Sequence, residues 1–291
     1  VHALKENIRM KKFVIIICAA FFFFACSKET SIEGGNKGTA LGADCKPKQI
    51  IAADSATGSA ILSILTRFDA AGRASSIEIY DSINNTSQFD QTLQYSGDTL
   101  RVSADEYFLL DAAKRVKEYS LIQDVNNAPE TIRYKYTYDA SGYLVKKDLF
   151  SSTIPLPIPL IQFTYTWAGQ NMVAVDGSVV IPGLTQKVFT AALEYDANVV
   201  AKNFLPIFPD AAEASLLIMT VDMGKKSRNL IKQIRLTTYN NLGMVDETLT
   251  TNFGNYVFSS DGYLIEWLVS GDEPGSLPFP KGKNIFKYFC K

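Results

Sequence analysis

One short unit recurs along this chain and constrains its fold more than any other feature. It is an aromatic residue, a small hydrogen-bond acceptor, two spacers and a glycine, set between runs of alternating polarity. Four copies are strict: Phe68-Asp69-Ala70-Ala71-Gly72, Tyr138-Asp139-Ala140-Ser141-Gly142, Tyr239-Asn240-Asn241-Leu242-Gly243 and Phe258-Ser259-Ser260-Asp261-Gly262. Weaker copies stand at Tyr80-Asp81-Ser82-Ile83-Asn84, Leu110-Asp111-Ala112-Ala113-Lys114 and Tyr195-Asp196-Ala197-Asn198. An Asp, Asn or Ser at the first turn position accepts a bond from the backbone two residues on. Glycine three positions later supplies the left-handed conformation that closes a type I turn with a G1 bulge. The expected turn pairs are therefore Asp69 with Gly72, Asp139 with Gly142, Asn240 with Gly243, and Ser259 with Gly262. The flanks agree: in Arg133-Tyr134-Lys135-Tyr136-Thr137-Tyr138 the tyrosines fall on one face and the polar residues on the other, the period of a half-buried antiparallel strand. Serial hairpins predict an all-β antiparallel meander, curled into a strongly twisted open sheet or half-barrel.

The aromatic-Asp/Asn/Ser-x-x-Gly units resemble the YD-type repeats of Rhs-like proteins and of secreted bacterial lipoproteins built from such hairpins. They extend over roughly residues 60 to 270, with irregular spacing: 70 residues from Phe68 to Tyr138, 101 to Tyr239 and 19 to Phe258. The long gaps imply degenerate hairpins or insertions between the recognisable ones.

The middle third differs in composition. Ile154-Pro155-Leu156-Pro157-Ile158-Pro159-Leu160-Ile161 and Phe204-Leu205-Pro206-Ile207-Phe208-Pro209 alternate proline with apolar residues. Proline at that density is foreign to a central strand, so these are apolar loops or edge segments. They either line the core or form a lid over a hydrophobic ligand or a contact with a membrane. From Pro209 to Met219 the pattern predicts a short helix, with proline and an acid in its first turn.

The N-terminus reads as an address. Met10-Lys11-Lys12 precedes an apolar run from Phe13 to Phe24, shorter than the roughly 20 residues of a membrane-spanning helix. Phe23-Phe24-Ala25-Cys26 resembles the lipobox of bacterial lipoproteins, which implies that Cys26 carries a lipid and becomes the mature N-terminus. The expected organisation is an over-extended start at 1–9, a lipoprotein signal peptide at 10–25, a lipid anchor and flexible tether at 26–46, and one β-rich domain at 47–291. Gly34, Gly35, Gly38 and Gly42 give the tether its flexibility. Lys28-Glu29 resembles a short charged signal for the outer cell surface, or is simply part of a solvated linker. The implied location is the bacterial outer membrane, on either its periplasmic or its cell-surface side.

Cleavage before Cys26 removes His2, the only histidine. It also takes four of 29 bases and one of 30 acids, for a mature net charge of about −4. Without histidine, Ser-His-Asp, Cys-His and His-based metal hydrolysis are excluded, and the absence of a basic excess gives no case for nucleic acid. Of four cysteines, Cys18 lies in the apolar run and Cys26 is the anchor, so Cys45 and Cys290 are left either to pair across the domain or to remain buried thiols. No cysteine–histidine spacing suggests a metal site, and no motif calls for a cofactor.

Trp167, Trp267 and exposed tyrosines are the candidate ligand contacts, as a platform for a glycan. The competing reading places these aromatics in the core. The expected function is a non-enzymatic, envelope-anchored binding module for a glycan or envelope protein. The rival readings are a half-barrel carrier of a lipid or other hydrophobic ligand, and a carboxylate-dependent glycoside hydrolase.

Overall fold

The computed structural model describes residues 45–125, 128–154, 158–210, 219–272 and 279–290. Cys26, the signal segment and the tether up to residue 44 lie outside these residues, as do 211–218, the body of the expected helix. Alternation in sequence becomes strand after strand: β1 (Lys46–Ala53), β2 (Ala60–Phe68), β3 (Ala74–Asp81), β4 (Thr86–Thr92), β5 (Gln94–Ser96), β6 (Thr99–Arg101), β7 (Glu106–Leu110), β8 (Val116–Val125) and β9 (Ala128–Tyr138). Then follow β10 (Leu144–Ser151), β11 (Ile161–Ala168), β12 (Asn171–Ile181), β13 (Leu184–Val200), β14 (Asn229–Tyr239), β15 (Val245–Phe258), β16 (Leu264–Gly271) and β17 (Gly282–Phe289). Lys46, which its polarity assigned to the tether, opens β1. No α-helix occurs among the described residues.

All 17 strands belong to one antiparallel sheet, an all-β meander in which each strand pairs with the next except β4 with β5. The sheet curls further than a half-barrel. First and last strands pair, Ile50 opposite Phe286, so the chain termini are stitched together. The sheet's two free ends are β4 and β5, which are separated only by Leu93, whose N–H donates to Ser75 O at 2.9 Å. The upper half of this continuous stretch pairs with β3 and the lower half with β6, so the sheet is a nearly closed barrel.

In a meander, successive turns fall at alternate ends. The turns at Asp69, Asp111, Asp139 and Ser259 share an end with Cys45 and Cys290, which a disulfide joins across 245 residues of sequence. The turn at Asn240 lies at the far end.

The repeated unit builds one turn each time. Gly72, Gly142, Gly243 and Gly262 have φ between 74° and 90°. Their N–H groups donate to the oxygens of Asp69, Asp139, Asn240 and Ser259. The expected bond from two residues on is made at Asn240, which accepts from Leu242 N–H at 2.9 Å. The side chains reach further too: Asp69, Asp139, Asn240 and Ser259 each accept from the N–H four residues on, at 2.9 to 3.1 Å. The weaker copy at Asp111 makes the same turn, with Lys114 in the left-handed position at φ 65°. The copy at Tyr195 makes no hairpin. It is an irregularity within β13, where the pairing with β14 shifts between Glu194 and Val200.

Candidate functional site

The barrel interior is occupied. Of the connection between β13 and β14, the described residues 201–210 and 219–228 leave and rejoin the barrel at the disulfide end, and several of their side chains are buried inside it. Their proline and aliphatic content is what allows it: prolines remove backbone donors that would otherwise need partners, and the aromatics fill space. Phe204, Leu205, Phe208 and Met223 are all buried. Phe204 meets Trp267 edge-on at 5.0 Å and Phe286 at 5.1 Å. Trp267, completely buried, also packs on Phe253 and Phe279. Such aromatic pairs contribute roughly 0.5–1.5 kcal/mol each beyond area burial.

Backbone bonds tie the insert to the barrel rim. Lys202 N–H donates to Gly262 O (3.1 Å), Val116 N–H to Asp222 O (2.9 Å), Lys225 N–H to Gly142 O (2.9 Å) and Arg228 N–H to Gln170 O (3.1 Å). Gly224, at φ +83°, lies so close to the wall that a Cβ would sit 2.6 Å from Gly142 O. Behind Tyr195, Ser227 and Phe204 remains a cavity of about 20 Å³, room for a single water.

Deeper in the barrel is a polar group in apolar surroundings. Lys147 on β10 places Nζ 2.7 Å from Oδ2 of Asp210 and donates to Asp210 O at 3.0 Å. Tyr165 on β11 donates its O–H to the same Oδ2 at 2.6 Å. The Lys147 ammonium stands 4.2 Å from the centre of the Phe163 ring and 5.4 Å from that of Tyr134. Both charged side chains are closed to solvent. Sequence reading missed this group. Its only signal was parity: along β10, Lys147 shares a face with Leu149 rather than with Lys146.

The far end of the barrel is different. Ile181, Leu184, Leu242, Met244 and Val245 are exposed large hydrophobics on the tips of the neighbouring hairpins β12–β13 and β14–β15, with Leu242 80% accessible. Ile83 and Ile122 are exposed at or near the same end, whereas Val200 and Val257 lie toward the other. Leu184, Tyr239, Leu242 and Lys187 line a shallow concavity of about 420 Å³ between the tips. Gln186 Nε2 donates to Asn240 O at 3.1 Å and holds the two tips together. Lys187 is paired with Asp176 at 2.7 Å. Burial pulls the Asp176 carboxyl upward, but hydrogen bonds from Lys187 and Thr190, with the lysine's charge, outweigh it and leave the group below its ordinary range.

Neither tryptophan is a surface platform. Trp267 is the centre of the aromatic core, because β16 is covered by the insert and by Phe279. Trp167 is half-buried against Tyr143, and its Nε1–H is committed to Leu144 O at 2.8 Å. Asp69, Asp139, Asn240 and Ser259 act as turn acceptors. Cys26 lies outside the described residues. No group of three or more metal-ligating side chains occurs among those described.

No family model matches the chain, and neither does any curated protein. Solved structures do. A porin-like protein from Bacteroides uniformis aligns over 84% of this chain and 98% of its own, with 11% identity and a TM-score of 0.56. A porin-like protein from Bacteroides vulgatus aligns over 84% and 99%, with 12% identity and a TM-score of 0.51. A TcdB2–TccC3 toxin chain aligns over only 14% of its length at a TM-score of 0.26, too low to bear on the fold. At these identities the likeness of the two Bacteroides proteins to this chain is one of fold.

Proposed function

We propose that this chain is a non-enzymatic binding module of the bacterial envelope, lipid-anchored through Cys26, that holds another envelope protein against the apolar tip of its barrel. The observation that carries the reading is the gathering of Ile181, Leu184, Leu242, Met244 and Val245 on two adjoining hairpins. Contiguous exposed apolar area of this kind marks interaction sites, because leaving it in water has a cost that a partner removes. Polarity supports the assignment: Cys45, where the tether enters, is at the opposite end, so an anchored barrel presents its tip away from the membrane.

Aliphatic side chains favour a protein partner over a glycan, which stacks on flat aromatic faces: Trp267 is completely buried, and Trp167 is half-buried against Tyr143 and away from this tip. The carrier reading has less support, since Phe204, Phe208 and Asp210 take up interior space that a ligand would need. The two porin-like structures, both from Bacteroides, are consistent with an envelope setting.

A photo-reactive residue at Leu242 in the anchored protein tests the proposal. It is expected to give a discrete cross-linked protein, while the same residue at Thr164, exposed on the outer wall of β11, gives none. Equal labelling at the two positions, or none at Leu242, would contradict it.

A further inference from the structure

We propose that Lys147 and Asp210 become joined by an amide bond formed within the folded domain, fixing the insert covalently to the barrel wall. The two reacting groups are already in contact, with Nζ 2.7 Å from Oδ2, an oxygen bonded directly to the carbon that Nζ would attack. Holding two reactants at such a distance replaces a bimolecular encounter with a unimolecular step and gives effective molarities on the order of 10⁵ M or more. The surroundings keep bulk water away from both groups. The side chains are 2% and 0% accessible, and Phe163 and Tyr134 flank the nitrogen. With water excluded, the product amide is protected from hydrolysis.

The carboxyl group is asymmetric in a way that suits the step. Oδ2 receives the Tyr165 O–H at 2.6 Å, whereas the buried Oδ1 has no hydrogen-bond partner. An ionised carboxylate leaves part of its charge on that undonated oxygen, a costly arrangement away from water. A neutral amide carbonyl there carries much less charge.

The reaction balances without a co-reactant. A proton passes from the ammonium to the carboxylate, giving an amine and a carboxylic acid. Nζ attacks Cγ, the C–N bond forms and the C–Oδ2 bond breaks. Oδ2 departs as water, carrying the carboxylic proton and one amine proton, and the amide keeps the other. Tyr165, donating to Oδ2, stabilises charge on the departing oxygen. The product links β10 to the insert, so the plug is retained even where the strands around it loosen.

The test is the intact mass of the full chain under denaturing conditions, compared with its Lys147→Arg variant so that any other modification cancels. After allowance for the substitution, the wild type is expected to be lighter by one water. Proteolysis is expected to yield a branched peptide joining the segments around Lys147 and Asp210. Equal corrected masses would overturn the proposal, as would a water loss that maps to any other pair. Because the decisive measurement is made on the unaltered protein, a variant that folds poorly does not obscure it. Tyr165→Phe is expected to slow accumulation of the linked form in freshly refolded protein, and an unchanged rate would remove Tyr165 from the mechanism.

Discussion

The phenol of Tyr195 on β13 donates to Met172 O on β12 at 2.8 Å and meets Ser227 Oγ on the insert at 2.9 Å. One hydroxyl thus joins two strands and the segment that plugs them. Burial pushes its pKa up to about 12, with the Ser227 bond pulling slightly the other way. A raised folded-state value means that the stabilisation is whole below the unfolded tyrosine value near 10 and is lost as pH rises through 12. Urea unfolding midpoints should therefore fall above about pH 10. Tyr195→Phe should reduce that fall and destabilise the domain by about 1 kcal/mol at neutral pH.

At the acid end the turn carboxylates act in the opposite sense. Backbone N–H bonds hold the carboxyl groups of Asp54, Asp69 and Asp81 below their ordinary value of 3.8, chiefly those from Thr57, Arg73 and Asn84. Their stabilisation is complete above 3.8 and disappears as pH falls through the depressed values. Unfolding midpoints should drop as pH is lowered from about 5 toward 2. Asp69→Asn, which keeps an acceptor but cannot titrate, should shallow the drop.

Two glycines separate conformational cost from steric cost. A Cβ at Gly243 meets nothing within 4 Å, so Gly243→Ala should lose only the penalty of a left-handed alanine, about 1 kcal/mol. At Gly224 the same atom would lie 2.6 Å from Gly142 O and 2.7 Å from the Tyr138 ring. Gly224→Ala should therefore cost clearly more, roughly 2–4 kcal/mol, by adding a steric clash to the same penalty. Denaturant titration of the two variants side by side measures the difference.

The disulfide between Cys45 and Cys290 closes a loop of 245 residues. Loop-closure entropy sets its largest contribution at about 5 kcal/mol. Reduction without denaturant should leave the barrel folded, since β1 and β17 remain paired along their length. It should still lower the thermal midpoint, and Cys45→Ser should match the reduced wild type.

Much of this architecture was legible in local sequence, because hairpin turns are local objects. Asp69 with Gly72 and Ser259 with Gly262 announce themselves by residue type and spacing. Lys114 does not, although it adopts the glycine conformation, because nothing in its identity shows that Asp111 holds the turn around it. Tyr195-Asp196-Ala197-Asn198 misleads for the converse reason. Asn229 Nδ2 donates to Ala197 O and Val199 O, and these longer-range bonds keep the segment in a distorted strand. Near closure of the barrel depends on twist accumulated over the whole sheet and on Ile50 meeting Phe286, and no single window of sequence contains either. The buried pair of Lys147 and Asp210 joins residues 63 apart and was invisible to motif reading. The apolar tip was half visible, since Leu242 occupies a spacer position of a strict repeat where a polar residue was equally suitable.

A tip held against another envelope protein is covered in the envelope, and the accessibility of a cysteine placed there reports it. A thiol at Leu242 (Leu242→Cys) and one at Thr164 (Thr164→Cys) are labelled with a membrane-impermeant maleimide, in purified domain and in native envelopes opened to the reagent. Both sites should react freely in the purified domain, and only position 242 should become protected in the envelope. Equal reactivity of position 242 in the two settings would contradict the account.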